Sequence, residues 1–219
     1  MEELIVILSD VGRVVLDFDN TRTSRSLAIH SPLGERQIFH ALFSGPTSPC
    51  HAFDRGLIEP DAFRLKCREL LRLDDRLTDK EFDDAFCDIF TVIGPVVDLW
   101  QKLRRRGVPV FALSNVDALR LEYVRDRVTH DGLPFGSWFD GFTLSFEEKV
   151  AKPDDEIFIR ALDKVGVKAE SARFVDDIAS YAAAAAKLGI RSHVQTPWDA
   201  DGLKAFLMTN GLDKQLIDQ

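Results

Sequence analysis

The residues of this sequence that are best suited to chemistry follow short apolar runs. They are Asp10 after LIVILS, Ser114-Asn115 at the end of VPVFALSN, Lys152 in AKPDDEIF, and Asp176-Asp177 at the end of ARFVDD. Each position alone is typical of a turn or a helix cap. Together they combine carboxylates that suit Mg²⁺ or attack on phosphorus with a hydroxyl and an ammonium that can hold phosphoryl oxygens. The set predicts phosphoryl transfer assisted by a divalent cation.

These residues can meet only if the apolar runs are strands of one sheet. The runs are Leu4–Ser9, Val108–Ser114, Phe139–Ser145, Ala172–Val175 and Ile190–Gln195. Helical patterns lie between or after them, at Pro95–Arg106, Asp154–Val165, Ala179–Leu188 and Asp199–Asn210. Alternating strands and helices predict an α/β fold with a parallel sheet covered on both faces. Side chains just past the carboxyl ends of such strands face one crevice.

The stretch from about residue 20 to residue 92 breaks this alternation, because it has helical signals and no convincing strand. The helical signals cover Glu35–Phe43, Pro60–Leu73 and Thr78–Phe90. We predict a helical cap domain at 20–92, and a core domain formed by 1–19 and 93–219. Such a cap would act as a lid over the crevice, with an extra packing layer as the alternative.

Bulk composition limits the partners and the compartment. The formal net charge is −8, from 28 Lys and Arg against 36 Asp and Glu. A surface of this sign repels polyphosphate, which argues against a nucleic-acid binder but not against a small phosphorylated metabolite. Cys50, Cys67 and Cys87 form no Cys-x-x-Cys pair, so we expect apolar fillers without disulfides in a reducing cytoplasm. No apolar run reaches membrane length, so we expect no leader and no membrane span, and a monomer or homodimer away from membranes.

Four segments resemble the motifs of a known family. They are SDVGRVV (Ser9–Val15), LSN (Leu113–Asn115), AKP (Ala151–Pro153) and FVDD (Phe174–Asp177). In order and spacing they look like the four motifs of the haloacid-dehalogenase-like (HAD) hydrolase superfamily, and the likeness covers nearly the whole chain. It is strongest to the subgroup of glucose-1-phosphate phosphatases and the N-terminal phosphatase domain of epoxide hydrolases. The resemblance implies a Rossmann-like core with a small helical cap, and Mg²⁺-dependent hydrolysis of a small phosphate monoester such as a sugar phosphate.

The resemblance also implies a role for each motif residue. Asp10 matches the nucleophile and a metal ligand, and Gly12 matches a position that offers its backbone carbonyl to the metal. Ser114-Asn115 matches the phosphate-binding segment, and Lys152 matches the catalytic lysine that bridges nucleophile and phosphate. Asp176-Asp177 matches the remaining magnesium ligands, with the second residue direct and the first direct or through water.

Gly12 is the main departure from the family pattern. Most phosphatases of the superfamily have a second Asp there, which protonates the leaving alcohol and then activates water. Glycine cannot transfer a proton, so the general acid/base is unassigned. Asp17 and Asp19 are nearby candidates, although a turn or cap role is commoner for both. Ser9 stands where an aromatic residue is common, and Tyr181 stands where the last motif often ends in Asp or Asn.

Two other functions fit parts of the pattern. A haloacid dehalogenase would use Asp10 to attack carbon without a metal, and such enzymes also lack the second acid. The acids Asp176-Asp177 suit a cation better than a carboxylate substrate, which argues against this reading. A catalytically degenerate binding or regulatory protein on the same scaffold is the third hypothesis, motivated by Gly12 and Tyr181.

The remaining charged residues have less specific patterns. His51, Asp54 and Arg55 lie in the predicted cap and could reach the crevice, although a surface or loop role is commoner. The segment Arg120–Arg127 alternates in charge, which predicts a solvated helix face.

Overall fold

A computed structural model of the protein describes residues 4–218, so residues 1–3 and 219 of the predicted core lie outside it. The strands are β1 (Val6–Ser9), β2 (Leu16–Phe18), β3 (Phe90–Val92), β4 (Val110–Ser114), β5 (Thr129–His130), β6 (Leu133–Pro134), β7 (Gly141–Leu144), β8 (Ala172–Asp176) and β9 (Arg191–Val194). The helices are α1 (Asn20–Ala28), α2 (Glu35–Phe43), α3 (Pro49–Asp54), α4 (Pro60–Leu71), α5 (Asp79–Cys87), α6 (Gly94–Arg105), α7 (Ala118–Arg127), α8 (Ser145–Glu148), α9 (Asp155–Val165), α10 (Ala179–Lys187), α11 (Ala200–Thr209) and α12 (Lys214–Asp218).

The main sheet has the strand order β7-β4-β1-β8-β9, and its neighbouring strands run parallel. All four residues of the central strand β1 are buried, as expected for a sheet with helices on both faces. The chain adds β4 on one side of β1 and β8 on the other, so the strand order reverses beside β1. Ligand crevices form at this kind of reversal. The predicted α/β fold with a parallel sheet is confirmed.

Helices α1 to α5 follow β2 and form the layer predicted as a cap. Their core is aromatic, with the Phe53 and Phe63 rings stacked 4.2 Å apart and Phe86 4.9 Å from Phe63. The three cysteines are buried and unpaired in the same cluster, where they act as apolar fillers.

The expectation that the stretch from 20 to 92 contains no strand is wrong. Strand β3 lies inside it and pairs antiparallel with β2, so that Leu16 faces Val92 and Phe18 faces Phe90. The two strands have three residues each, which is too short to show the alternation that identifies a strand in sequence. They form a stem at the base of the α1–α5 layer.

The predicted solvated face at Arg120–Arg127 is also wrong in part. Leu121 and Val124 are buried, and the side chain of Arg120 is only 12% exposed. The alternating charges concealed these apolar residues, which are three positions apart and so lie on one face of α7, where the helix packs on its neighbours. Within residues 4–218, no helix combines the length and the apolar character that crossing a membrane requires.

Candidate active site

Asp10 directly follows the central strand and is held there by its backbone. Its N–H donates to the Val175 carbonyl of β8 at 2.8 Å. Its own carbonyl accepts from the Ser9 hydroxyl at 2.7 Å, and Ser9 in turn accepts from the Trp100 indole N–H at 3.1 Å. Ser9, which replaces the usual aromatic residue, therefore links the candidate nucleophile to the buried Trp100 side chain of α6. The Asp10 residue is 7% exposed, so a small part of it remains accessible from the crevice.

Lys152 lies between two of the aspartates. Its Nζ atom is 2.9 Å from Asp10 Oδ1 and 2.6 Å from Asp176 Oδ2, and it also donates to the Leu113 carbonyl at 2.9 Å. The amide of Asn115 holds the lysine backbone, because it accepts from the Lys152 N–H and donates to the Lys152 carbonyl, both at 2.9 Å. The lysine side chain is fully buried, so this ammonium has a fixed position.

Three carboxylates converge at this crevice. Oxygen atoms of Asp10, Asp176 and Asp177 lie within 4.8 Å of one another. Asp176 is further oriented by the Ile178 N–H, which donates to its Oδ1 atom at 2.8 Å. Gly12 lies in the turn after Asp10, where the chain bridges back to Leu16. An all-oxygen set of acids from two strand ends fits Mg²⁺, which prefers hard oxygen ligands.

Burial and the charge of Asp10 raise the pKa values of the two neighbouring acids. Burial, and then repulsion from Asp10, raise the pKa of Asp176 to about 7, although the Lys152 ammonium opposes this rise. The pKa of Asp177 is raised by the same two causes. Burial alone would lower the pKa of Lys152, but the carboxylates of Asp10 and Asp176 outweigh it and raise the pKa. The buried Lys152 ammonium pairs with two of the three acids, and a divalent metal would relieve the excess negative charge.

A cavity of about 340 Å³ lies between the core and helices α1 to α5. Its core wall includes Gly12, Ser114 and Asn115, and its opposite wall includes His51 and Asp54 of α3. Apolar side chains complete the wall, among them Val11, Phe18, Phe43, Ile89, Phe90 and Val116. The cavity therefore joins the end of β4 to the cap layer and offers a largely apolar space beside the polar crevice.

Other sequence candidates lie outside the cavity. Arg55 bonds Asp154 of the core at 3.0 Å. Asp17 accepts from the Phe18 N–H at 2.9 Å and pairs with Arg13 at 2.8 Å, whereas Asp19 caps α1 by accepting from a backbone N–H at 2.9 Å. The cap role expected for Asp19 is confirmed, whereas Asp17 lies in strand β2 and not in a turn or a cap.

Sequence reasoning missed two charged residues near the cavity. Asp117 is fully buried, and one of its oxygens has no hydrogen-bond partner among the described residues. The Arg120 guanidinium lies on the cavity wall, 4.2 Å from the centre of the Phe86 ring and 3.7 Å from Asp117. The sequence signal that could have identified Asp117 is its residue type, since Asp is common at the start of a helix. In the structure its Oδ1 atom accepts from the Arg120 N–H at 2.9 Å.

The fold and the crevice together define an α/β enzyme scaffold with a carboxylate-rich site where the strand order reverses. A family model described as haloacid dehalogenase-like hydrolase matches residues 11–189, and the chain belongs to this family. The superfamily predicted from the four motifs is therefore confirmed, whereas the glucose-1-phosphatase subgroup stays a prediction.

Two curated proteins are similar to part of the chain. An (S)-2-haloacid dehalogenase from Pseudomonas fluorescens is 31% identical over 131 residues, covering 59% of this chain and 54% of that protein. A sesquiterpene phosphatase from Aspergillus oryzae is 28% identical over 141 residues, covering 63% of this chain and 67% of that protein. The chain thus spans little more than half the length of the dehalogenase.

Solved structures match over a larger part of the chain. A HAD family enzyme from Bacteroides thetaiotaomicron, in complex with magnesium and inorganic phosphate, is 25% identical with a TM-score of 0.77. The match covers 89% of this chain and 95% of that one. A HAD-like family hydrolase from Porphyromonas gingivalis has a TM-score of 0.80 at 21% identity, covering 94% and 98%, which shows a shared fold.

Proposed function

We propose that this protein hydrolyses a small phosphate monoester with magnesium, through an aspartyl-phosphate on Asp10. The observation that carries the proposal is the convergence of the Asp10, Asp176 and Asp177 carboxylates within 4.8 Å. The buried Lys152 ammonium bonds two of them. A nucleophilic carboxylate beside both a cation and a metal-type acid set suits attack on an anionic phosphorus centre.

The reaction has two displacements. A carboxylate oxygen of Asp10 attacks phosphorus, and the bond to the ester oxygen breaks with its electron pair remaining on that oxygen. Water then attacks the phosphorus of the aspartyl-phosphate, which frees inorganic phosphate and restores the Asp10 carboxylate. Lys152 stabilises both steps because its ammonium adjoins the reacting carboxylate at 2.9 Å.

The other motif residues bind the phosphoryl group or the metal. The Ser114 hydroxyl, at the end of β4, would donate to a phosphoryl oxygen. Asn115 would contribute its backbone N–H, because its side-chain amide is already bonded to the Lys152 backbone. Magnesium would be held by Asp10, Asp177, the Gly12 carbonyl and Asp176, and when bound it neutralises charge between the nucleophile and the phosphate.

The relatives support this proposal in two ways. The Bacteroides enzyme was solved with magnesium and inorganic phosphate, which are the cofactor and one product of the proposed reaction. The Aspergillus relative is a phosphatase. The cavity of about 340 Å³ beside Ser114 would accommodate a compact alcohol portion of the substrate, which suits a small phosphorylated metabolite.

The dehalogenase relative makes halide release the second candidate function. In that reaction Asp10 would attack carbon and expel halide without a metal. The raised pKa values of Asp176 and Asp177 favour the phosphatase, because clustered acids are stabilised by a cation and destabilised by a carboxylate substrate.

A phosphate-release screen over small phosphate esters, with Mg²⁺ or with EDTA, tests the proposal. We expect release that requires Mg²⁺ and falls by about 10³ or more in Asp10→Asn, which removes the nucleophile and keeps the shape. Asp201→Asn is the matched control, since the Asp201 side chain is 93% exposed on α11. Phosphate release that persists in Asp10→Asn, or halide release from a 2-haloacid that EDTA leaves unchanged, would contradict the proposal.

A further inference from the structure

The tight turn after Asp10 leaves little room for a proton-transferring side chain at position 12. A Cβ atom built on Gly12 would lie 3.0 Å from the Phe18 ring, which is closer than ordinary van der Waals contact. Arg13 holds that ring in place, because it donates to the Phe18 carbonyl at 2.9 Å and stacks 4.7 Å from the ring centre. The proton that a leaving alcohol needs must therefore come from another wall of the cavity.

Asp54 is the acid on the opposite wall of the same cavity, which also includes Gly12 and Ser114. It ends helix α3, whose preceding residue Phe53 is stacked in the cap core. Its backbone carbonyl accepts from the Ser145 hydroxyl, which comes from the core at the start of α8. Although Asp54 belongs to the cap layer, its position is therefore tied to the core.

The two residues after Asp54 strengthen this attachment. Arg55 bonds Asp154 at 3.0 Å, and the Gly56 carbonyl accepts from Lys149 Nζ at 2.6 Å. A Cβ on Gly56 would lie 2.2 Å from the Phe146 carbonyl oxygen, so only glycine permits this close approach. The segment is thus fixed against the core on the side of the crevice.

The side-chain carboxyl of Asp54 is not engaged in a bond to another described side chain or backbone group. Among the described residues, it has no hydrogen-bond or ion-pair partner. The charged and titratable groups around it are Asp117, which caps α7, and Arg120 of α7, with Cys50 and His51 of its own helix. Burial, and then the charge of Asp117, raise the pKa of Asp54 to about 7, against the opposing effect of Arg120. A carboxyl in this state can give up and regain a proton near neutral pH.

We propose that Asp54 is the general acid and base of the phosphatase reaction, in place of the acid that is missing at Gly12. This inference rests on the proposed function. In the first displacement the leaving ester oxygen takes the proton of the Asp54 carboxylic acid, which yields the alcohol, the Asp10 phosphate and the Asp54 carboxylate. In the second, that carboxylate takes a proton from the attacking water, and the electron pair of the breaking bond returns to the Asp10 oxygen.

The test compares two esters that differ in their need for a proton. The leaving group of p-nitrophenyl phosphate departs as a stable anion, whereas a simple alkyl phosphate needs protonation. For Asp54→Asn we expect kcat/KM to fall by about 10²–10⁴ with the alkyl ester and by less than about tenfold with the p-nitrophenyl ester. A burst of p-nitrophenol followed by slow turnover is also expected, because the second displacement loses its base.

The ratio of the two kcat/KM values does not depend on how much of the variant is folded, so an unstable variant still gives an answer. Asp54→Glu keeps a carboxyl and should keep the ratio near that of the wild type. Asp19→Asn, which alters a nearby acid in a helix cap that Asn also supports, should leave both values unchanged. Equal losses with both esters, or no loss, would overturn the role of Asp54 and leave the proposed function standing. If the wild type releases phosphate from neither ester, the proposed function fails and this inference fails with it.

Discussion

Asp176→Asn tests whether the acid cluster destabilises the metal-free fold. The ordinary pKa of this carboxyl is 3.8, and burial followed by repulsion from Asp10 raises it to about 7 in the folded protein. The folded state therefore binds this proton more tightly than the unfolded chain. The free energy of unfolding must then fall as the pH rises from about 4 to about 7. Each pKa unit corresponds to about 1.4 kcal/mol, so this one group accounts for about 4 kcal/mol.

Asn has no proton to lose, so the variant should lack this part of the pH dependence. In EDTA at about pH 8, we expect Asp176→Asn to be more stable than the wild type by up to about 4 kcal/mol, and at about pH 4 the two should be similar. Urea unfolding followed by circular dichroism measures both differences. With Mg²⁺ at about 100 times its Kd, the wild type should gain about 2.7 kcal/mol and the variant should gain less.

The exposed Asp201 provides the control, because Asp201→Asn removes the same charge without changing the cluster. Its stability should follow the wild type across the pH range. If Asp176→Asn is less stable than the wild type in EDTA at about pH 8, the 2.6 Å ion pair with Lys152 outweighs burial and repulsion, and the reasoning is refuted.

Two further outcomes are expected at the same crevice. Lys152→Met leaves the Asp10 and Asp176 carboxylates without their shared ammonium. Phosphate release should therefore fall by about 10² or more. In urea unfolding, the free energy of unfolding of the metal-free protein should fall by about 3–5 kcal/mol. An unchanged unfolding free energy would show that the buried lysine does not hold the acids together. Ser114→Ala removes a hydroxyl from the cavity wall. We expect kcat/KM to fall about 10- to 100-fold, because one hydrogen bond to a charged group is lost, while the melting temperature stays unchanged. An unaltered kcat/KM would remove Ser114 from the phosphate site.

The convergence of the crevice residues could be predicted, because the carboxyl ends of neighbouring parallel strands lie at the same edge of a sheet. Once β1, β4 and β8 are recognised as parallel neighbours, Asp10, Ser114 and Asp176 must lie at the same edge of the sheet. The cap helices carry similar local signals. Thr78 caps α5 through a reciprocal pair of bonds with Glu81, a pattern visible in sequence.

The contacts that decide the chemistry could not be predicted in the same way. The Asn115 side chain hydrogen-bonds the backbone of Lys152. This pairing depends on the path of a loop that lies 37 residues away along the chain. Arg120 looked like part of a solvated face because the segment Arg120–Arg127 alternates in charge, yet its guanidinium lies against Phe86. Helix α1 has few apolar residues, and the burial of Thr23 and Leu27 follows from packing against α2 and α5.

The core and the α1–α5 layer contribute different groups to the proposed reaction, and this affects which substrates react. In the proposed mechanism, the core supplies the nucleophile, the metal ligands and the phosphate-binding groups, none of which distinguishes one ester from another. With Asp54 as the acid, leaving-group protonation depends on the layer that also shapes the cavity for the alcohol. A substrate whose alcohol fails to place its oxygen against Asp54 would bind through its phosphate and react slowly. Selectivity should therefore appear mainly in kcat, because the interaction forms as the bond breaks.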